Sequence, residues 1–207
     1  WRFINSNLSK LYHPYSMGET AENVADKWKI TREEQDQFGL ASQQKYFAAH
    51  KANKFKDELI SVSVKKGKEA IDFNTDEYPR ETSLEKLAAL KPAFKENGTV
   101  TAGNSSGIND GAAASLLVNE ELAKKLNLKP LARVASMAVA GVDPAYMGVG
   151  PVPAVKKALQ RAGLKISDLG LIELNEAFAA QSLACIKDLD LNPEIVNVNG
   201  GAIAIGH

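Results

Sequence analysis

The stretch Gly170-Leu171-Ile172-Glu173-Leu174-Asn175-Glu176-Ala177-Phe178, followed by Ile195-Val196-Asn197-Val198-Asn199-Gly200-Gly201-Ala202-Ile203-Ala204-Ile205-Gly206-His207, decides the fold. Residues 170–174 and 195–199 read as strands, and residues 176–189 between them read as a helix. Strand, helix and strand in that order is the unit of a sheet with helices packed on its faces. Each strand runs into a short loop, and the second loop is rich in small residues. Asn175 sits on the first loop and His207 ends the second. An amide and an imidazole at strand ends, where α/β folds place their sites, suit an oxygen that becomes negative. A compact domain rarely ends on a glycine-rich loop straight after a strand, so the chain reads as a piece of a longer protein.

Outward from this unit the alternation continues. A strand over 131–140 precedes a helix over 152–162, with Val152, Val155, Leu159 and Ala162 as its buried stripe. Further upstream, residues 99–107 read as a strand entering a small-residue loop. Asp110-Gly111-Ala112-Ala113-Ala114 leads to an apolar strand over 115–118 and a helix over 120–126, with Pro130 as a boundary. The reading is an α/β layered fold. The first hundred residues are more irregular and read as an insertion or lid. Thr20 is a candidate N-cap for one helix. Thr31 with Glu34 forms a capping box for a second, whose apolar face is expected from Phe38, Ala41, Lys45, Ala48 and Ala49. Residues 55–64 alternate as a strand, Lys65-Lys66-Gly67-Lys68 is a basic turn, and residues 83–90 form a short helix ended by Pro92.

The chain has 207 residues, 44% of them hydrophobic and 24% charged, with zero formal net charge. It is long enough for a real core. Zero net charge gives no global attraction to nucleic acid or to an anionic membrane. The single cysteine excludes an intramolecular disulfide and a cysteine-rich zinc site. There is no internal repeat, no apolar run of membrane-spanning length and no pair of histidines at metal-ligand spacing, so no metal is expected. The opening Trp1-Arg2-Phe3-Ile4-Asn5 is neither a signal nor a transit peptide.

Individual residues carry competing readings. His207 alone would be structural or merely exposed, but Gly200, Gly201, Ala202 and Gly206 before it allow close approach of a ligand. Asn175 by position is a helix N-cap. Cys185 lies within Leu183-Ala184-Cys185-Ile186, mid-helix and apolar, so core packing is favoured over a nucleophile. Gly103-Asn104-Ser105-Ser106-Gly107 lacks the Gly-Lys-Ser/Thr of a Walker loop, and is a tight turn or a cradle for a polar ligand. Arg80 and the lysines at 65–68 are either solvated or poised for a phosphate, and Asp76 or Glu77 is a surface ion-pair partner for Arg80.

Six motifs then stand in order: residues 16–25 (Ser-Met-Gly-Glu-Thr-Ala-Glu-Asn-Val-Ala), 90–94 (Leu-Lys-Pro-Ala-Phe), 99–113, 148–154 (Gly-Val-Gly-Pro-Val-Pro-Ala), 175–181 (Asn-Glu-Ala-Phe-Ala-Ala-Gln) and 197–207. Together they resemble the thiolases, the acyl-CoA:acetyl-CoA C-acyltransferases, over essentially the whole chain. The resemblance implies two similar α/β halves in a five-layered αβαβα core, present here in part. It implies that residues 1–107 are the loop domain that contacts coenzyme A, residues 108–130 complete the N-terminal half, and residues 131–207 open the C-terminal half. It also implies a homodimer or homotetramer, acyl-CoA and CoA as substrates, and no separate cofactor.

The roles carry over residue by residue. His207 matches the histidine that helps activate the nucleophilic cysteine and donates to a thioester oxygen. Asn175 matches the asparagine of the same oxyanion hole, which holds a water as second donor, each donor worth roughly 3–4 kcal/mol in comparable sites. Ser106 and Ala102 match positions touching the pantetheine arm, and Arg80 a residue near the adenine. Phe94, Met17, Met147 and Phe178 match the apolar walls around pantetheine and acyl group. Both reactive cysteines of the family lie outside this chain, upstream and downstream, and Cys185 matches neither. Ser16 stands where biosynthetic acetoacetyl-CoA thiolases tend to have histidine. With the opening segment, that resembles the degradative branch, including 3-oxoadipyl-CoA thiolases. The implied location is the cytoplasm in a bacterium, or the mitochondrion or peroxisome in a eukaryote, without secretion. A non-catalytic CoA- or lipid-binding relative, and the ketoacyl and hydroxymethylglutaryl-CoA synthases, are the competing readings. Alone, the chain is expected to fold marginally, with apolar faces uncovered.

Overall fold

The computed structural model describes residues 4–207. The first three residues of the opening segment, which entered the degradative-branch reading, lie outside them. Helix α1 (Ser6–Ser9) is one turn capped by Asn5. Helix α2 (Met17–Trp28) starts on Ser16 rather than at Thr20. Ser16 Oγ accepts from the Glu19 amide at 3.3 Å, and Glu19 accepts from the Ser16 amide at 2.7 Å. This reciprocal box satisfies two amides at the helix start, so it outcompetes Thr20, whose hydroxyl instead donates to the Met17 carbonyl at 2.7 Å. Helix α3 (Arg32–Lys51) starts on the expected Thr31–Glu34 box. Its buried face differs from the expectation. Gln35, Asp36, Ser42 and Gln43 are buried beside Gly39, Tyr46 and Ala49. Buried polar groups persist where they are hydrogen-bonded, and these side chains bind the loops that pass over the helix.

Strands β1 (Val62–Lys66) and β2 (Glu69–Phe73) form an antiparallel hairpin that places Val64 opposite Ile71. The strand is shorter than the expected 55–64, and the basic turn closes it with Gly67 at φ 68°. Helix α4 (Leu84–Ala88) is capped by Ser83 and buries Leu87, and helix α5 (Glu120–Lys125) is capped by Asn119. The strands expected over 115–118 and 131–140 acquire no ladder partner among the described residues, and the stretch 99–107 forms only an isolated antiparallel bridge from Ser105 to Phe178. Val100 and Thr101 are nonetheless buried, their amides taken by side chains of Glu22 and Asn104. Residues 115–118 and 131–140 stay largely open, with Leu116 79% and Val139 83% exposed. A strand is held by a neighbouring strand's N–H and C=O groups, and no described segment supplies them there.

Helix α6 (Pro151–Ala162) begins on proline and ends at Gly163 with φ 68°, the left-handed exit that glycine favours. Of its expected stripe only Val152 is fully buried; Val155, Leu159 and Ala162 are half-buried. Helix α7 (Ala179–Leu189) starts three residues later than expected, because residues 175–178 stay non-helical, with Phe178 extended and bridged to Ser105. The strands expected over 170–174 and 195–199 shrink to a single parallel bridge between Ile172 and Val196, because Ile195 ends a short 3-10 turn and residues 197–199 already turn away. The Ile172 amide donates to Ile195 O and the Asn197 amide to Ile172 O, both at 2.9 Å. Helix α8 (Ala202–Ile205) is a buried turn where a glycine-rich loop was expected. The main core joins Val24 of α2, Val152 of α6 and Ala184, Cys185 and Leu189 of α7 to Val149, Leu191 and Val196. Fully burying a side chain of this kind stabilises the fold by about 1.5–3 kcal/mol.

Cys185 is fully buried in that core, and burial pushes its thiol up to about 11 from 9.0. The folded state therefore holds a proton that the unfolded state releases first. Its contribution is complete below pH 9 and is lost as pH rises to about 11. A Cys185→Ala variant is expected to lose that alkaline slope, measured by urea unfolding between pH 8 and 11.5, while the wild type weakens across the window.

Candidate active site

Asn175 owes its orientation to its two neighbours. On one side, the Asn197 side chain behaves as a piece of strand. It accepts from the Leu174 amide at 2.7 Å and donates to the Leu174 carbonyl at 2.8 Å. On the other side, Glu176 is only 1% exposed and points inward. Its carboxylate accepts from Ser42 Oγ at 2.6 Å, Asn197 Nδ2 at 2.9 Å and the Ile203 amide at 3.1 Å. Successive side chains of an extended backbone face opposite ways, so Asn175 is turned outward. The N-cap reading of Asn175 is thereby corrected. Phe178 holds that position, without a side-chain bond, because the extended segment delays the helix.

His207 arrives from α8. Gly206, at φ 93°, makes the exit, and the His207 amide donates to the Gly107 carbonyl at 2.9 Å. Asn175 Nδ2 and His207 Nε2 then lie 3.4 Å apart, both exposed. Two nitrogens this close can donate to one common oxygen at ordinary hydrogen-bond lengths. Beside them, partial burial and then repulsion from Glu176 raise the Glu173 carboxyl above its usual range, with Lys45 opposing.

The loop over 99–107 is the third wall. The Glu22 carboxylate, 2% exposed, accepts from the Thr99 and Val100 amides, each at 2.9 Å. Asn104 is fully buried; it accepts from the Thr101 amide at 2.8 Å and donates to Asp36 at 2.9 Å. Asp36 is held in turn by Arg32 at 2.7 Å. The loop then binds the segment after Asn175. Ala179 donates to Asn104 O at 2.9 Å, and Ser106 donates to Ala177 O through its amide at 3.0 Å and its hydroxyl at 3.1 Å. The same loop therefore touches both arms of the site.

The other expected contacts distribute around these arms. The Phe94 and Phe178 rings meet edge to face with centroids 5.9 Å apart, and Phe94 covers Gly18, where a Cβ would strike the ring. Met17, Met147 and Ala102 are exposed. Arg80 lies farther along α3, in a shallow pocket of about 370 Å³ lined also by Leu40, Gln43, Phe47 and Thr82. Its guanidinium sits 5.1 Å over the Tyr78 ring, and no ion pair joins it to Asp76 or Glu77 among the described residues. Gln43 links this pocket to α8, accepting from the Arg80 amide at 3.0 Å and donating to Ile203 O at 3.2 Å. The basic hairpin turn is exposed. Among the described residues no group of His, Cys, Asp and Glu is placed to hold a metal ion, and no helix is long and apolar enough to cross a membrane.

Sequence reasoning singles out Asn175, His207 and the loop that contains Asn104, but not Glu176, Asn197 or Ser42. A charged residue facing inward beside a predicted strand was the signal available for Glu176. The partners come from distant segments and have no local signature.

Comparison with known proteins identifies the lineage. The thiolase N-terminal domain matches residues 2–121, and the thiolase C-terminal domain matches residues 128–207. The chain belongs to the thiolase family, whose α/β fold it carries in part. It is 56% identical over 205 residues to an acetyl-CoA acetyltransferase of Rhizobium meliloti (strain 1021), covering 99% of this chain and 52% of that protein. A Paracoccus denitrificans acetyl-CoA acetyltransferase is 55% identical with the same coverage. The crystal structure of the Bacillus anthracis acetyl-CoA acetyltransferase superposes with a TM-score of 0.92 at 46% identity, over 99% of this chain and 53% of that one. Human mitochondrial 3-ketoacyl-CoA thiolase in complex with CoA superposes at 0.84 with 48% identity, over 92% of this chain and 48% of that one. The chain thus spans about half the length of the curated relatives it matches.

Because Asn104 donates to Asp36, Asn104→Asp sets two carboxylates against each other in a buried site. We expect a loss of about 3 kcal/mol. Hydrogen exchange should show faster amide exchange at Ser106 and Ala179, the amides through which this loop holds the Asn175 arm.

Proposed function

We propose that this chain is the middle portion of a thiolase that converts 3-oxoacyl-CoA and CoA to acetyl-CoA and a shortened acyl-CoA. The observation that carries this reading is the 3.4 Å approach of Asn175 and His207 on an exposed face of a thiolase-family chain. In the proposed cycle a cysteine thiolate attacks the 3-oxo carbon. The bond between carbons 2 and 3 breaks, leaving an acyl-cysteine and the enolate of acetyl-CoA, which takes up a proton. CoA thiolate then attacks the acyl-cysteine, releasing acyl-CoA and restoring the cysteine. His207 and the water held by Asn175 donate to the thioester oxygen while it carries the enolate charge. Cys185 serves neither step, since burial keeps its thiol protonated at neutral pH. The reactive cysteines belong to the portions of the family outside these residues.

Residues 1–107 act as the loop domain, residues 108–130 as the end of the N-terminal half, and residues 131–207 as the start of the C-terminal half. Ser106 and Ala102 meet pantetheine, Arg80 the adenine end, and Phe94, Met17, Met147 and Phe178 the apolar walls. The CoA-bound human relative and the pocket beside Arg80 support this placement. CoA and acyl-CoA are the ligands, no further cofactor is used, and the assembly is a homodimer or homotetramer. The location is cytoplasmic in a bacterium and mitochondrial or peroxisomal in a eukaryote. We assign the degradative direction from Ser16. The alternative is biosynthetic acetoacetyl-CoA formation, which the names of the bacterial relatives favour.

The test uses the full reading frame that contains this chain, with acetoacetyl-CoA and longer 3-oxoacyl-CoAs, following loss of the magnesium-enolate absorbance. Asn175→Ala and His207→Ala should each lower kcat roughly 100- to 1,000-fold. Preference for the longer substrates selects the degradative branch. A wild type inactive on every 3-oxoacyl-CoA overturns the assignment.

A further inference from the structure

We propose that Glu176, acting with Asn197, is the positioning residue that sets the spacing between Asn175 and His207. The inference rests on the reading of those two residues as the oxyanion donors. It starts from a carboxylate with no contact to a substrate. Glu176 is 1% exposed, all three of its hydrogen-bond donors are uncharged, and each comes from a different segment of the chain. Asn197 Nδ2 links it to the residue before Asn175, since the same amide also holds the Leu174 carbonyl. The Ile203 amide links it to α8, four residues before His207. Ser42 Oγ links it to α3 and in turn accepts from the Gly201 amide at 3.0 Å. Gly201 itself lies against the carboxyl group, where a Cβ would overlap it. One anion therefore gathers the backbones that carry both donors onto the rigid helix α3.

The division between the two oxygens makes the arrangement testable. Oε1 takes the Asn197 amide, and Oε2 takes Ser42 and Ile203. In Glu176→Gln one oxygen becomes an N–H2 donor. Placed at the first position it faces the Asn197 amide and loosens the Asn175 arm. Placed at the second it faces the Ile203 amide and loosens the His207 arm. Either orientation leaves a donor against a donor in a buried site.

The experiment uses the full reading frame as wild type, Glu176→Gln, Ser42→Ala, Asn175→Ala and the Glu176→Gln/Asn175→Ala double variant. Crystal structures are expected to show the Asn175 Nδ2 to His207 Nε2 separation widened by about 1 Å in Glu176→Gln, a displacement that lowers kcat about 100-fold. The KM for CoA should stay within about twofold, because uniform binding is untouched. Ser42→Ala should change both quantities in the same direction by less, and keeps the idea testable if Glu176→Gln does not fold. In the Asn175→Ala background the Glu176→Gln cost should shrink to about tenfold, the share that falls on His207, since one of the two groups it positions is gone. A full 100-fold loss in that background marks a purely structural carboxylate and overturns the proposal. So does an unchanged separation in both single variants. Absence of thiolysis in the wild type refutes the thiolase assignment, and the crystallographic separation alone then decides the positioning role.

Discussion

The Glu176 carboxylate is the point on which the site depends. It draws together α3, the segment that carries Asn175, and the stretch from Asn197 to α8. A buried anion is costly unless it is hydrogen-bonded, and here three donors surround it at 2.6–3.1 Å. The arrangement is demanding, because each donor belongs to a different segment and all must arrive together. That demand is what makes it specify geometry. A looser apolar contact at the same place would tolerate sliding of α8 against the strand end, whereas a hydrogen-bonded anion does not.

A second carboxylate repeats the device. Glu22, on α2, holds the amides of Thr99 and Val100, and Asn104 and Asp36 continue the network to Arg32. At Glu22 a loop backbone passes over a helix without a neighbouring strand, and side-chain acceptors do the work of a ladder. This explains why α3 buries Gln35, Asp36, Ser42 and Gln43 rather than an apolar stripe. The apolar core lies apart, where α2, α6 and α7 meet the parallel pair, and Cys185 belongs to it as a small packing residue. The division separates two tasks: the apolar cluster joins the helices, and the polar clusters aim the loops.

The limits of local reading show in particular residues. Thr31 with Glu34 was legible as a helix start because both partners of that box lie within one turn. Ser16 with Glu19 is the same device and was passed over for Thr20, since two hydroxyl residues competed for one helix start. Residues 115–118 and 131–140 have strand composition, yet composition cannot supply a neighbour, and those segments remain unpaired among the described residues. Asn175 had two local roles open to it, and only the anchoring of Leu174 and Glu176 removed the N-cap.

By itself the sequence determined the helices from Met17 to Lys51 and from Pro151 to Leu189 to within a few residues, and family membership through six ordered motifs. These depend on periodicity, caps and short motifs, which act over a few residues. The tertiary structure alone decided that Asn175 faces outward, that His207 reaches it from a helical turn, and that Cys185 is enclosed. It also decided which buried carboxylates hold the loops. Those outcomes depend on contacts across 21 to 134 positions of chain, such as Asn197 and Ser42 to Glu176. No local pattern encodes such contacts, because the partners are chosen by the packing that brings them together.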